Sequence, residues 1–169
     1  MMGVIAASWG FLGIFTLFSF AIYRLSLVSL GAWSAPLETM HWVGMVIWVL
    51  FMAYNEGYKG FQKGFSPRVA ARIAHLYRNP TALRLFLAPL FCMGYFGTTR
   101  KRQIITFALT LMIIVLVQLV GLLDQPWRGI VDLGVVIGLG WGLISLSLFS
   151  IQALSHDDYP HSADLPESS

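Results

Sequence analysis

Charged side chains are scarce in this sequence. Asp, Glu, Lys and Arg make up 11% of the 169 residues, against about 25% in an ordinary soluble domain. Hydrophobic residues make up 57%, and the mean hydropathy is +0.71. A chain of this length cannot bury so much apolar surface in one water-exposed globule, and disordered chains are poor in apolar residues. Both of those classes are excluded, and an integral membrane protein remains.

Cysteine is nearly absent as well. The single Cys92 excludes a framework of disulfide bonds, and with no histidine near it in sequence we interpret it as a packed side chain rather than a nucleophile. Strict alternation of polar and apolar residues is also missing, which argues against membrane strands. We therefore predict an all-α integral membrane protein.

Four stretches are long and apolar enough to cross a membrane. A helix needs about 20 mainly apolar residues to cross a hydrocarbon core of about 30 Å. The stretches that meet this requirement are 3–23, 36–55, 103–123 and 130–154. We predict four transmembrane helices in a single membrane domain over 1–154, with a connector over 56–102.

A shorter apolar stretch, 85–97, lies within the connector. Its 13 residues would reach roughly 20 Å as a helix, which is too short for a crossing. It contains Pro89, and basic residues lie on both sides of it. We predict a re-entrant or interfacial helix, and a fifth span over 81–98 is the alternative.

The positive charges are concentrated in the connector. Nine of the eleven Lys and Arg residues lie between Glu56 and Arg102. Because basic residues accumulate on the cytoplasmic side, the connector is predicted to be cytoplasmic. An even number of spans then places both termini there too, and we expect a location in a bacterial cytoplasmic (inner) membrane.

Small residues recur along two of the predicted spans. Gly134, Gly138 and Gly142 repeat every four residues, and Gly10 and Gly13 form a shorter strip in the first span. Small residues allow helix backbones to approach closely in lipid. These glycines predict helix packing, either within the bundle or between copies of the chain.

The start of the connector is strongly patterned. Residues 54–65 contain a four-residue repeat that fits either a helix with three chemically distinct stripes or a glycine loop that holds an anion. Ser66 and Pro67 then match an N-cap and a first helical position. From there to Arg78 the pattern is that of a basic amphipathic helix, which would lie in the headgroup layer.

These features converge on one candidate anion or lipid-headgroup site. Helix N-termini bind phosphates, and several basic residues would surround the helix that Ser66 caps. The residues that we assign to this site are Lys59, Lys63, Ser66, Arg68 and Arg72. Glu56 is a candidate base or cation partner beside it. The alternative is a solvated basic connector without a ligand.

Two further regions carry acidic groups. Asp132 lies four residues after Arg128, a spacing that permits an ion pair, and a carboxylate that carries protons is the alternative. The polar segment 155–169 is predicted to be a disordered acidic tail. Its His and Asp residues lack the ligand spacing of a structural metal site.

No catalytic motif emerges, and we predict no cofactor and no nucleic-acid partner, since topology already explains the basic residues. We expect an accessory or scaffold subunit that packs through its glycine faces against a membrane-protein partner, or against itself, and binds anionic lipid at the connector. The alternatives are an oligomeric small-solute transporter or channel, and a membrane-embedded enzyme that acts on a lipid or isoprenoid phosphate.

Overall fold

The protein is described by a computed structural model that covers residues 1–156 and 158–166. Within those ranges every regular element is a helix, as the sequence predicts. The α-helices are α1 (Met2–Leu30), α2 (Thr39–Met52), α3 (Ser66–Arg78), α4 (Ala82–Phe86), α5 (Ala88–Met93), α6 (Arg100–Gly121) and α7 (Trp127–Ser155). A short 3-10 turn, Gly31–Ser34, follows α1, and a π-helix, Ala53–Phe65, joins α2 to α3. We call this π-helix the π segment.

Three helical stretches are long and apolar enough to cross a membrane: α1 with its 3-10 turn, α6 and α7. They coincide with the predicted spans 3–23, 103–123 and 130–154, and they indicate an integral membrane location. The predicted span 36–55 differs, because α2 has only 14 residues before the helix changes to the π form at Ala53. Four crossings therefore stay a prediction.

The segment 81–98 does not form one helix. It contains α4 and α5, with five and six residues, and α5 ends at Gly94 in a left-handed conformation with φ of 87°. Six helical residues reach only about 9 Å. The alternative of a fifth span is therefore wrong, and the short helices instead pack against α1.

The chain runs as one uninterrupted helical rod from Thr39 to Arg78. Phe65 and Ser66 both have right-handed helical backbone angles, and the amide of Ser66 donates to the carbonyl of Phe61 five residues earlier, the π pattern. The prediction that Ser66 caps a new helix is therefore wrong. The helical interpretation of 54–65 is confirmed, and the glycine-loop alternative is not.

The long rod and α7 run side by side in the same direction, and α1 runs opposite to both. The end of α1 lies at the start of α7, where a Cβ on Gly129 would be 3.0 Å from the carbonyl oxygen of Ser29. The start of α1 lies at the end of α3, where Gly3 faces the backbone carbonyl of Tyr77. The central part of α7 is thus flanked by α1 and by the π segment.

The basic helix α3 lies inside the bundle. Ile73 and Leu76 are fully buried in a cluster with Phe91 and Ile14, and Ala70 packs near Ala153 at the end of α7. The apolar face of α3 is therefore covered by α1, α5 and α7. The prediction that this face rests on lipid is wrong, because neighbouring helices supply the apolar surface.

The C-terminal residues that the structure describes make specific contacts. The hydroxyl of Tyr159 donates to the carbonyl of Pro67, and Leu165 packs against the buried cluster. The Asp164 carboxylate accepts a hydrogen bond from Arg102 at 2.9 Å. These contacts differ from the disorder expected for 155–169, although residue 157 and residues 167–169 lie outside the described part.

Candidate functional site: the π segment and the face of α7 that it covers

The glycine row on α7 is filled by side chains of the long rod. A Cβ added at Gly134 would lie 2.5 Å from the indole nitrogen of Trp48, and one at Gly142 would lie 2.7 Å from the ring of Phe61. At Gly138 the same atom would lie 2.9 Å from a carboxylate oxygen of Glu56. Each glycine makes room for one large side chain, so this row serves packing within the chain.

The two glycines of α1 have the same role toward α5. A Cβ at Gly10 would lie 2.9 Å from the sulfur of Cys92, and one at Gly13 would overlap the ring of Pro89. Of the two interpretations of the glycines, the geometry favours contacts inside the bundle over an interface between copies.

Polar groups follow the same seam between the π segment and α7. The hydroxyl oxygens of Ser66 and Ser145 lie 3.0 Å apart and are buried. The indole nitrogen of Trp141 donates to the side-chain oxygen of Gln62 at 2.8 Å, and that of Trp48 donates to the carbonyl of Val131 at 3.1 Å. Sequence reasoning did not find the Gln62–Trp141 pair, since no local spacing connects residues 79 positions apart.

Glu56 projects from the π segment toward Gly138, in the middle of α7. Its side chain is half-buried, and among residues 1–156 and 158–166 it makes no hydrogen bond or ion pair. Ionisable groups inside a membrane bundle are expensive and are candidates for function by default. Glu56 therefore remains the strongest candidate carboxylate in the bundle interior.

Lys59 and Lys63 lie on a different face of the π segment. Each ammonium group lies over the ring of the tyrosine five residues earlier: Lys59 is 4.7 Å from the centre of Tyr54, and Lys63 is 4.6 Å from that of Tyr58. The two rings stack at 5.9 Å. Five residues is the hydrogen-bonding step of a π-helix, so the unusual helix form aligns both pairs. We call this exposed surface the tyrosine–lysine ladder.

The remaining members of the predicted anion site are elsewhere. Arg72 is buried and donates to four backbone carbonyls at 2.7 to 3.1 Å, those of Phe91, Phe96, Gly97 and Ala163. Burial lowers the pKa of Arg72 to about 10. Because its donors are occupied, Arg72 is a structural clamp rather than an anion ligand, and Ser66 bonds inside the seam.

Arg68 reaches back along the rod, and its Nη2 atom would lie 3.6 Å from a Cβ on Gly64. Burial lowers the pKa of its guanidinium, and the charged groups that act on it are Arg102 and Asp164. The structure thus keeps Lys59 and Lys63 together but does not assemble the five predicted residues around one helix N-terminus. The reason is that the rod continues through Ser66, so no free N-terminus exists there.

Asp132 is buried near the start of α7, with 5% of its surface exposed. The ion pair that its spacing to Arg128 permits does not form within 4.0 Å, and the Nε atom of Arg128 is buried without a hydrogen-bond partner in the described structure. The two side chains share a helix face and interact only at longer range.

A side-opening groove lies on α7 next to the seam. It has a volume of about 760 Å³ and is lined by Gln62 and by an apolar strip of α7 that ends at Gln152. Trp141, Ile144 and Leu148 are 42%, 65% and 63% exposed along it. These residues belong to a helix that is apolar enough to cross a membrane.

In the part of the chain that the structure describes, no three His, Cys, Asp or Glu side chains come together to hold a metal ion. The polar groups of the seam are hydroxyls, amides, indoles and one carboxylate, which suits hydrogen bonding to a ligand. The chain matches no protein-family model, no curated protein and no solved structure.

Proposed function

We propose that this protein is an accessory subunit of a membrane complex and that it docks on its partner through α6. The observation that carries the proposal is the exposure of α6. Its 22 residues include none that is buried, and its mean hydropathy over the apolar window is 2.6. Every side chain from Leu111 to Leu119 is exposed around the whole helix.

The side-chain hydrogen bonds and the ion pair that join α6 to the rest of the described chain lie in its first half. Tyr95 bonds to the hydroxyl of Thr110 at 2.7 Å and accepts from Gln103 at 2.9 Å through its carbonyl, and Arg102 pairs with Asp164. In lipid, packing against neighbouring helices fixes the position of a span. A partner helix would supply the packing that the second half of α6 lacks.

The glycine faces are a weaker choice for docking than the sequence suggests. Gly134, Gly138 and Gly142 are buried against the long rod. The partner contact is therefore assigned to α6, and the tyrosine–lysine ladder is assigned to anionic lipid. Lysines attract anionic headgroups by about 1 kcal/mol each.

Site-specific photo-crosslinking in cells tests the proposal. A photoreactive residue at Met112 or Leu116 on α6 should give a discrete protein adduct, and the same residue at Leu50 on α2, which is more exposed than either, should not. The adduct partner should also purify with the protein in mild detergent at constant stoichiometry. Adducts with lipid alone at all three positions would refute an α6 interface.

Crosslinking also separates a foreign partner from a second copy. An adduct of twice the chain mass between two differently tagged copies would indicate self-association, which favours the oligomeric alternative. A larger adduct that contains one copy supports the accessory subunit.

One observation favours transport as a second candidate function. Glu56, Ser66 and Ser145 put polar groups between the π segment and a span, and polar groups inside spans mark solute or proton paths. Flux of protons or small solutes into proteoliposomes, compared between the wild type and Glu56→Gln, tests this candidate. Equal flux in both, at the level of empty vesicles, would eliminate it.

A further inference from the structure

Three basic side chains meet near the end of α3, and we call them the basic cluster. Arg84 of α4 donates from Nη1 to Nε2 of His75 at 3.1 Å, and its guanidinium lies 5.2 Å from the centre of the Phe91 ring. The guanidinium of Arg72 lies over the same ring at 4.5 Å. Among residues 1–156 and 158–166, no carboxylate forms an ion pair with any of the three. The cluster therefore carries positive charge that no described acidic side chain pairs with.

The guanidinium of Arg84 is held in place while part of it stays free. An arginine has five N–H donors. The contact with His75 uses one of them, and Nε and Nη2 make no hydrogen bond with the described chain. These two atoms form a planar fork that matches two oxygens of a phosphate. Because the contacts with His75 and Phe91 already fix the group, a ligand would have to order little on binding.

The cluster lies close to one end of a candidate span. His75 is three residues before the end of α3, about 5 Å along the axis, and its neighbour Tyr77 contacts the first turn of α1. With 29 residues α1 is about 44 Å long, which matches a bilayer with its headgroup layers, about 40–45 Å. Leu83 and Phe86, on either side of Arg84 in sequence, are 65% and 82% exposed. The cluster is therefore near the depth of lipid phosphates, with apolar side chains beside it.

We propose that the basic cluster binds a phosphate group, whose oxygens accept two hydrogen bonds from Nε and Nη2 of Arg84 and a third from the protonated imidazole of His75. The phosphate then replaces the direct contact between these two side chains and offsets their charge. Both are half-buried, so a ligand reaches them from the surface. A phospholipid headgroup and a soluble phosphate share this chemistry, and the depth of the cluster favours the headgroup. The site includes neither α6 nor the tyrosine–lysine ladder, so it does not depend on the proposed function.

His75 makes phosphate binding depend on pH. Burial and the positive charges of Arg84 and Arg72 lower the pKa of its imidazole from 6.5, so His75 is neutral near pH 7 in the free protein. Arg78, one turn further along α3, is bonded to the carbonyl of His156. α5 has no charged residue, the charged residues of the π segment precede α3, and those of α1 and α7 lie toward the opposite end of the bundle. A bound anion raises the pKa of His75, and by linkage the affinity for phosphate rises as the pH falls.

Phosphatidylglycerol is the probe for a headgroup. Its phosphodiester keeps one negative charge across the range, about pH 5.5 to 7.5, in which a histidine titrates. The purified protein is equilibrated with phosphatidylglycerol and phosphatidylcholine of the same chains, and the retained lipids are counted by native mass spectrometry. We expect one phosphatidylglycerol to be retained at least threefold more strongly at the lower pH. The lysines of the ladder stay charged throughout and do not contribute to this change.

Three variants assign the effect to the cluster. Arg84→Gln should weaken this binding by about tenfold at the lower pH, whereas Arg100→Gln, which removes the same charge at an exposed residue, should not. Arg84→Lys keeps the charge without the fork and should bind less tightly than the wild type. His75→Gln should bind equally at both pH values. An unchanged pH dependence in His75→Gln, or equal effects of Arg84→Gln and Arg100→Gln, would overturn the proposal.

Inorganic phosphate separates a headgroup from a soluble ligand. It is added to the protein in neutral detergent at about pH 6, where His75 begins to protonate, and thermal unfolding is compared with that in the same concentration of chloride. A rise in the unfolding midpoint of the wild type that is lost in Arg84→Gln would assign the site to a soluble phosphate. Retention of phosphatidylglycerol that depends on Arg84, without such a rise, would assign it to a headgroup. Independence from Arg84 in both measurements would overturn the proposal, and the same unfolding curves verify that each variant is folded.

Discussion

The hydroxyl oxygens of Ser66 and Ser145 lie 3.0 Å apart in the interior, although 79 positions separate them in the chain. Ser145 also donates to the carbonyl of Gly142 in its own helix. This pair joins the long rod to α7 at the point where the π segment ends. It explains why Ser66 is an interior residue rather than a helix cap.

The two hydroxyls should be energetically coupled, so that each single removal lowers the free energy of unfolding by more than half of the loss caused by removing both. Ser145→Ala leaves the hydroxyl of Ser66 buried without a partner, which should reduce the free energy of unfolding by about 1–3 kcal/mol. The double variant with Ser66→Ala should cost less than the sum of the single changes. Equilibrium unfolding in mixed micelles measures all three, and strict additivity would contradict a direct bond.

Arg72 should be the basic residue of the connector that matters most for stability. Arg72→Ala would leave the carbonyls of Phe91, Phe96, Gly97 and Ala163 without their donor. Since hydrogen bonds to charged groups are worth about 1.5–3 kcal/mol each, we expect a loss above about 3 kcal/mol. Arg100→Ala, at an exposed residue, is the control and should change the free energy of unfolding by no more than about 0.5 kcal/mol. Similarly small effects of both substitutions would refute the role of Arg72 as a clamp.

Glycines of α7 should respond differently to alanine according to the face they occupy. Gly142→Ala forces a Cβ to within 2.7 Å of the ring of Phe61 and should destabilise the fold by about 1–3 kcal/mol. Gly140→Ala meets nothing within 4 Å and should be neutral or stabilising by up to about 1 kcal/mol. Unfolding in mixed micelles compares them, and equal effects would mean that the glycine row does not pack against the rod.

Cys92 should resist alkylation in the folded protein. It is 1% exposed, and burial raises the pKa of its thiol to about 12. Because the thiolate is the nucleophile, the reactive form is roughly one part in ten thousand at pH 8. A maleimide reagent should therefore label Cys92 only on unfolding, whereas an added cysteine at the exposed Ser155 reacts at once. Rapid labelling of the folded wild type would contradict the packing against Gly10.

The tyrosine–lysine ladder should give the protein its preference for anionic lipid. Lys59→Ala with Lys63→Ala should remove about 2 kcal/mol, or roughly thirtyfold in affinity, from binding to anionic vesicles or nanodiscs. The difference in affinity between the wild type and the double variant should shrink at high salt, since exposed charges are screened. The matched control is Arg100→Ala with Lys101→Ala, and an equal loss in the control pair would mean that only the total charge matters.

Composition and hydropathy determined the membrane character, the helical class and three of the apolar helices, because lipid requires every backbone polar group to be satisfied within its own helix. The spacing of Gly134, Gly138 and Gly142 predicted a packing face, because small residues allow helix backbones to approach closely in lipid. The local sequence at Ser66 led to the wrong prediction of a helix cap, because Ser-Pro is compatible both with a helix start and with a change from π- to α-helix.

Only the tertiary structure decided which residues meet. The Gln62–Trp141 and Ser66–Ser145 pairs each join positions 79 apart, and the side chains that fill the glycine row depend on the register between the rod and α7. Arg72 is a clamp because of where α5 and residue 163 come to lie, which no local pattern encodes. Register and burial are set by the fit of whole helices, so the sequence alone could name the polar groups but not their partners.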